Sequence, residues 1–165
     1  MTKSSVPLDP VFSYMSPTRP VRVSVSPRRI GRTLSTGSAV VDAEHVAAFA
    51  RALRDPNPAY QGGSATTAPL TYPIAFMAEA MAGGANTFLE LGLNFMTLVH
   101  GEQEFEYRRP IRLGETLTLT GRVGDVYEKT GSSGTLDFVI LETEAKDAEG
   151  KPVFFSRNTL ISKRI

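Results

Sequence analysis

Residues Arg54-Asp55-Pro56-Asn57-Pro58-Ala59-Tyr60 set a carboxylate and a phenol five positions apart in a stretch where proline stops a helix. Asp55 can orient a water molecule or a departing hydroxyl, or it can simply close a turn ahead of Pro56. Asn57 can hold the same water or make an Asx turn ahead of Pro58. A phenol has an unperturbed pKa near ~10, against about 6.5 for imidazole, so Tyr60 is a poor general base at neutral pH but a competent donor. Its other reading is a non-catalytic pocket residue. A further carboxylate, Glu79, lies among Phe76, Met77, Ala80 and Met81. Burial there raises a carboxyl pKa and makes an acid; on the exposed side of a helix the same residue is ordinary surface. His100 stands among Glu102, Glu104 and Glu106 and reads as structural or interfacial, while His45 reads as solvent-exposed.

Composition narrows the chemistry. The 165 residues contain no cysteine, which excludes thiol catalysis and disulfides and fits a cytoplasmic protein. Two histidines far apart make a transition-metal site a poor fit. No Gly-x-Gly-x-x-Gly or Walker pattern occurs, and Gly62-Gly63 and Gly83-Gly84 read as turn or cap signals. A net charge of +1 with scattered Lys and Arg gives no electrostatic case for nucleic acid. No apolar run reaches the roughly 18 residues of a membrane span, and the N-terminus lacks the apolar core of a signal peptide. What remains is acid–base or electrostatic work in a single domain.

The elements that must position these groups follow from patterning. Residues 1–35, rich in Pro, Ser and Arg, are expected to form an extended or partly disordered arm with a short strand at 21–25. A strand at 38–41 leads to Asp42, a good N-cap for a helix over 43–53 with Val46, Phe49, Ala50 and Leu53 on one face. Thr71 is a plausible cap for a second helix, with Pro73 near its first position and an apolar segment 74–81 that should be central and buried. A short helix or turn over 85–91 follows. From Phe95 the period changes to two, and strands are expected at 99–107, 116–128, 135–146 and 153–162. A buried helix followed by long antiparallel strands is an α+β pattern, with one helix wrapped by a curved sheet. The domain is assigned to residues 36–165.

Apart from the tyrosine, the 55–60 run resembles the Asp-x-Asn-Pro-x-His signature of the MaoC-like (3R)-specific enoyl-thioester hydratases. In that family the aspartate and histidine activate the water that adds across an enoyl double bond. The similarity is to the N-terminal MaoC-type dehydratase branch and spans roughly residues 30–162. It rests also on Ala68-Pro69-Leu70-Thr71-Tyr72-Pro73, on Val99-His100-Gly101-Glu102-Gln103-Glu104-Phe105-Glu106-Tyr107-Arg108-Arg109-Pro110, and on Gly114-Glu115-Thr116-Leu117. It implies a single hot-dog fold and an acyl thioester carried on CoA or on the phosphopantetheine of an acyl carrier protein, with no other cofactor and no metal. It also implies dimerisation through the sheet edges, as a homodimer or beside a second MaoC-like chain with an intact Asp–His pair. Catalytic candidates are then Asp55, Asn57, Tyr60 and Glu79. Tyr72, Pro73, Ile74 and Ala75 are substrate-binding candidates at a helix end that polarises the thioester carbonyl; Pro73 has no N–H, so Ile74 or Ala75 supplies it. The implied function is a substrate-binding subunit of a hydroxyacyl-thioester dehydratase. The alternatives are a self-sufficient hydratase using Asp55 with Tyr60 or Glu79, an acyl thioesterase, and a non-catalytic thioester binder.

Overall fold

A computed structural model describes residues 26–61, 65–75, 91–93, 95–132 and 134–163, with Phe95 described by its backbone alone. The strand expected at 21–25, Glu79 and most of the helix expected over 74–81 lie outside the described residues.

Strand β1 (Thr33–Val40) runs into helix α1 (Ala43–Ala52), and Asp42 caps the helix by accepting the His45 N–H on Oδ1 at 2.8 Å. Val46 and Ala50 on the inner face of α1 are buried, as the helical spacing requires. Strands β2 (Leu98–Tyr107), β3 (Thr116–Gly131), β4 (Gly134–Lys146) and β5 (Pro152–Lys163) complete one antiparallel sheet in the order β1-β3-β4-β5-β2. The sheet begins at Thr33, so the boundary expected at residue 35 falls inside β1. Polar residues there carry no period-two signal; the backbone ladder to β3, from Thr33↔Arg122 to Val40↔Thr116, holds the strand instead.

Two of the register shifts in the sheet fall at glycines. Gly101 lies between His100 and Glu102 of β2, and Gly124 between Val123 and Asp125 of β3. A Cβ at Gly101 would sit 2.7 Å from Cδ1 of Ile161, and one at Gly124 only 2.6 Å from Cδ of Glu142. The Glu142 side chain crosses the second bulge to reach both Arg122 (Nη2, 2.9 Å) and Arg157 (Nη2, 3.2 Å), in a row of alternating charge that ends at Glu104.

The other face of the sheet carries the core, in two parts. One gathers Val41, Val46, Ala68, Tyr72, Ile111, Leu117, Leu119, Ala145, Val153 and Phe154; the other gathers Leu91, Leu93, Val123, Val139, Leu141 and Leu160. Between them the cross-strand row Gly121–Thr143–Ser156–Phe105 is mostly small and polar.

Candidate functional site

Helix α1 delivers Asp55 to its place. After Ala52 the chain turns through Leu53 and Arg54, whose φ of 55° is the only positive value among the described non-glycine residues. The Arg54 N–H donates to the Arg51 carbonyl and the Asp55 N–H to that of Ala50, both at 3.0 Å. These are the two bonds of a Schellman motif, with an arginine where glycine is preferred. Asp55 is therefore fixed by its backbone before its side chain makes any contact. Because a left-handed conformation strains an L-residue, Arg54→Gly is expected to stabilise the chain by about 1 kcal/mol. Urea denaturation checks this as a rise in midpoint at constant slope.

Beyond Asp55 the loop is held by local bonds. Oδ1 of Asp55 accepts the Asn57 N–H, and Oδ1 of Asn57 accepts the Ala59 N–H, each at 3.0 Å. Asn57 thus makes the Asx turn ahead of Pro58 and caps a single 3₁₀ turn, Pro58–Tyr60. Gln61 donates its side-chain amide to the Asp55 carbonyl. Asp55 and Tyr60 are both half-buried. Among the described residues, Oδ2 of Asp55 and the Tyr60 hydroxyl take part in no hydrogen bond. Two groups suited to a small polar ligand thus stand in one braced loop.

The segment leading into the helical residues 73–75 lies against the same end of the sheet. Ala68 donates to the Ile111 carbonyl at 3.0 Å, and Leu113 to that of Thr66 at 3.2 Å. The Tyr107 hydroxyl donates to the Leu70 carbonyl, and burial pushes its pKa up from 10.0 to about 12. Tyr72 is fully buried and meets Phe49 and His45 edge-on, with ring centroids 5.5 and 6.0 Å away. Its side chain is a core anchor for the loop, and His45, exposed as expected, covers one side of it. Pro73 is buried, Ile74 is exposed and Ala75 is half-buried. The Ile74 and Ala75 N–H groups bond the Thr71 and Tyr72 carbonyls at 3.2 and 2.9 Å. A ligand carbonyl would share these donors with the turn. His100 is exposed on β2, opposite Leu160 and well away from the loop in register.

Sequence reasoning passed over a charged cluster below this loop. Arg109 makes a two-pronged pair with Glu115 (3.0 and 2.7 Å) and reaches Oδ2 of Asp147 at 3.1 Å. Glu115 also accepts the Arg112 N–H at 2.7 Å, and Oδ1 of Asp147 accepts the N–H groups of Lys151 (2.8 Å) and Glu149 (3.2 Å). The Arg109–Pro110 pair and the Gly114-Glu115 turn were the available signal. The cluster joins the β2–β3 and β4–β5 turns under the helix-entry loop. The Lys151 N–H first, and then Arg109, hold the Asp147 carboxyl below its ordinary 3.8. A lowered pKa contributes stability above about pH 4 that disappears as pH falls through the folded value. Asp147→Asn should therefore melt below the wild type at pH 7, and the gap should close as the pH is lowered below about 4.

The class follows from the five-stranded antiparallel sheet, α1 and the loop between them: this is the hot-dog fold of MaoC-like dehydratases. Of solved structures, the HadBC (3R-hydroxyacyl-ACP dehydratase) complex from Mycobacterium tuberculosis matches with a TM-score of 0.64 at 20% identity, over 86% of this chain and 100% of that one. The ChsH1–ChsH2 complex from the same organism matches at 0.59 and 17%, over 79% and 82%. At such identities the likeness is one of fold. In sequence, a UPF0336 protein of Streptomyces avermitilis is 32% identical over 131 residues, 74% of this chain and 84% of the relative. The family model described as FAS1-like, dehydratase domain region, matches residues 28–155, and the chain belongs to that family.

Proposed function

We propose that the chain is the substrate-binding subunit of a (3R)-3-hydroxyacyl-thioester dehydratase or enoyl hydratase, working beside a second hot-dog chain that supplies a complete Asp–His pair. The observation that carries this reading is the occupant of the loop. Asp55 is anchored by α1 and by its Asx turn, while the position five residues on, which ends the 3₁₀ turn, presents a phenol. Neither histidine belongs to this loop. Two of the structural neighbours, HadBC and ChsH1–ChsH2, are themselves described as complexes, which supports a partner chain. The ligand in this reading is an acyl group on CoA or acyl carrier protein, gripped near Tyr72, Pro73, Ile74 and Ala75.

The test is hydration of short and medium trans-2-enoyl-CoA by the purified chain, with Asp55→Ala as control. The expected result is thioester binding, seen as a ligand-dependent rise in Tm, without turnover until a catalytic partner is added. The second reading is a self-sufficient hydratase, in which Asp55 orients water and Tyr60 or Glu79 moves the proton. That Oδ2 of Asp55 and the Tyr60 hydroxyl take part in no hydrogen bond among the described residues favours it. Turnover by the chain alone that vanishes in Asp55→Ala would establish that reading and remove the first.

A further inference from the structure

Two buried acceptors on the inner face of the sheet have no donor among the described residues. Oε1 of Gln103 and Oδ1 of Asn158 are enclosed and make no hydrogen bond with any of them. The two residues are direct cross-strand partners on β2 and β5, in the row Val123–Leu141–Asn158–Gln103. Directly opposed side chains begin about 5 Å apart, close enough to share one ligand group. The Gln103 amide is not free to turn over. Its Nε2 donates to Oγ of Ser156 at 2.8 Å and lies 3.2 and 3.3 Å from the carbonyls of Glu104 and Arg157. Its oxygen is thereby fixed away from those acceptors. The adjoining row is the small polar one, with Thr143 and Ser156 almost wholly buried and Gly121 without a side chain. An enclosed acceptor without a partner opposes folding, and two side by side in an otherwise apolar row are doubly unfavourable. The pair makes sense if something with a donor comes to lie there.

We propose that Gln103 and Asn158 form a subsite for a neutral hydrogen-bond donor, a hydroxyl or amide N–H carried on the acyl chain of the bound thioester. This rests on the acyl-thioester reading above. In that reading the reacting end lies by the helix-entry loop, which Tyr107 ties to the C-terminal end of β2. Gln103 is four residues back along the same face of the same strand, about 13 Å away. That is the distance of an acyl tail rather than of the thioester. Among the described residues, Val123, Leu141, Thr143 and Ser156 around the pair offer no countercharge to a desolvated cation, which favours an uncharged donor. The subsite thus selects acyl groups with a polar substituent over plain alkyl chains.

The experiment compares an ω-hydroxylated medium-chain acyl-CoA with the same acyl-CoA lacking the hydroxyl. Calorimetry gives Kd for the full-length wild type and for Asn158→Leu and Gln103→Met, each shown by its Tm to be folded. The expected result is about a tenfold preference for the hydroxylated ligand in the wild type, lost in either variant while the plain ligand binds as before. If one variant fails to fold, the other decides. Equal binding of both ligands by the wild type, or a preference that survives substitution, overturns the subsite and leaves the acyl-thioester reading standing. In that case the acceptors hold only water. Failure of the wild type to bind either ligand overturns both.

Discussion

Tyr60→His is expected to give the isolated chain enoyl-thioester hydratase activity about 10² to 10⁴ above that of the wild type. The gain follows from what the loop already provides. Asp55 is set by the Ala50 carbonyl and by its Asx turn, neither of which involves the residue 60 side chain. Tyr60 closes a 3₁₀ turn through its own N–H, which donates to the Asn57 carbonyl at 3.1 Å, so exchanging the ring leaves the backbone as it is. An imidazole titrating near about 6.5 is a base at neutral pH, as a phenol near about 10 is not. The measurement is hydration of trans-2-enoyl-CoA, with Asp55→Ala added in the same background to remove the gain. A folded Tyr60→His protein with no gain would mean that this loop is not the reaction centre.

The largest effect on stability is expected at Tyr72. Its ring is wholly buried where α1, the helix-entry loop and the first part of the core meet. Truncation to alanine removes the edge-on packing with Phe49 and His45 and leaves a void under a braced loop that has little freedom to collapse. Tyr72→Ala should cost about 3–5 kcal/mol, the range for large buried aromatics. Denaturant titration at pH 7 reads this directly. The same substitution on the exposed Ile74, two positions on, should change stability by less than about 0.5 kcal/mol. The contrast separates an anchor of the site from a residue that only borders it.

Much of the fold was legible because local and global signals agreed. Asp42 and the Val46/Ala50 spacing gave α1 to within one residue of its end, and the alternating runs after Phe95 gave all four long strands. The bulges at Gly101 and Gly124 were not legible. A glycine in an alternating run looks like any small residue until the Ile161 or Glu142 side chain across the ladder is known. β1 was read short for a related reason: its order comes from hydrogen bonds to a strand some eighty positions away, not from its own composition. At the candidate site, Asp55, Asn57 and Tyr60 could be placed in one loop from the sequence because they lie within six consecutive residues broken by two prolines. The Arg109–Glu115–Asp147 cluster joins two different turns and the Gln103–Asn158 pair two different strands, and neither leaves a periodic trace.

The strand order also bears on when the site is assembled. β3, β4 and β5 are consecutive in the chain and adjacent in the sheet, joined by short turns, so they can pair with little loss of loop entropy. β1 and β2 take the two outer places, and each must close a long loop to reach its partner. The candidate site hangs between those two late arrivals. Its loop should therefore gain its protection against amide hydrogen exchange after the three-stranded meander during refolding, and lose it first in native-state exchange. A surface organised last and loosened first is well placed for a second chain to complete.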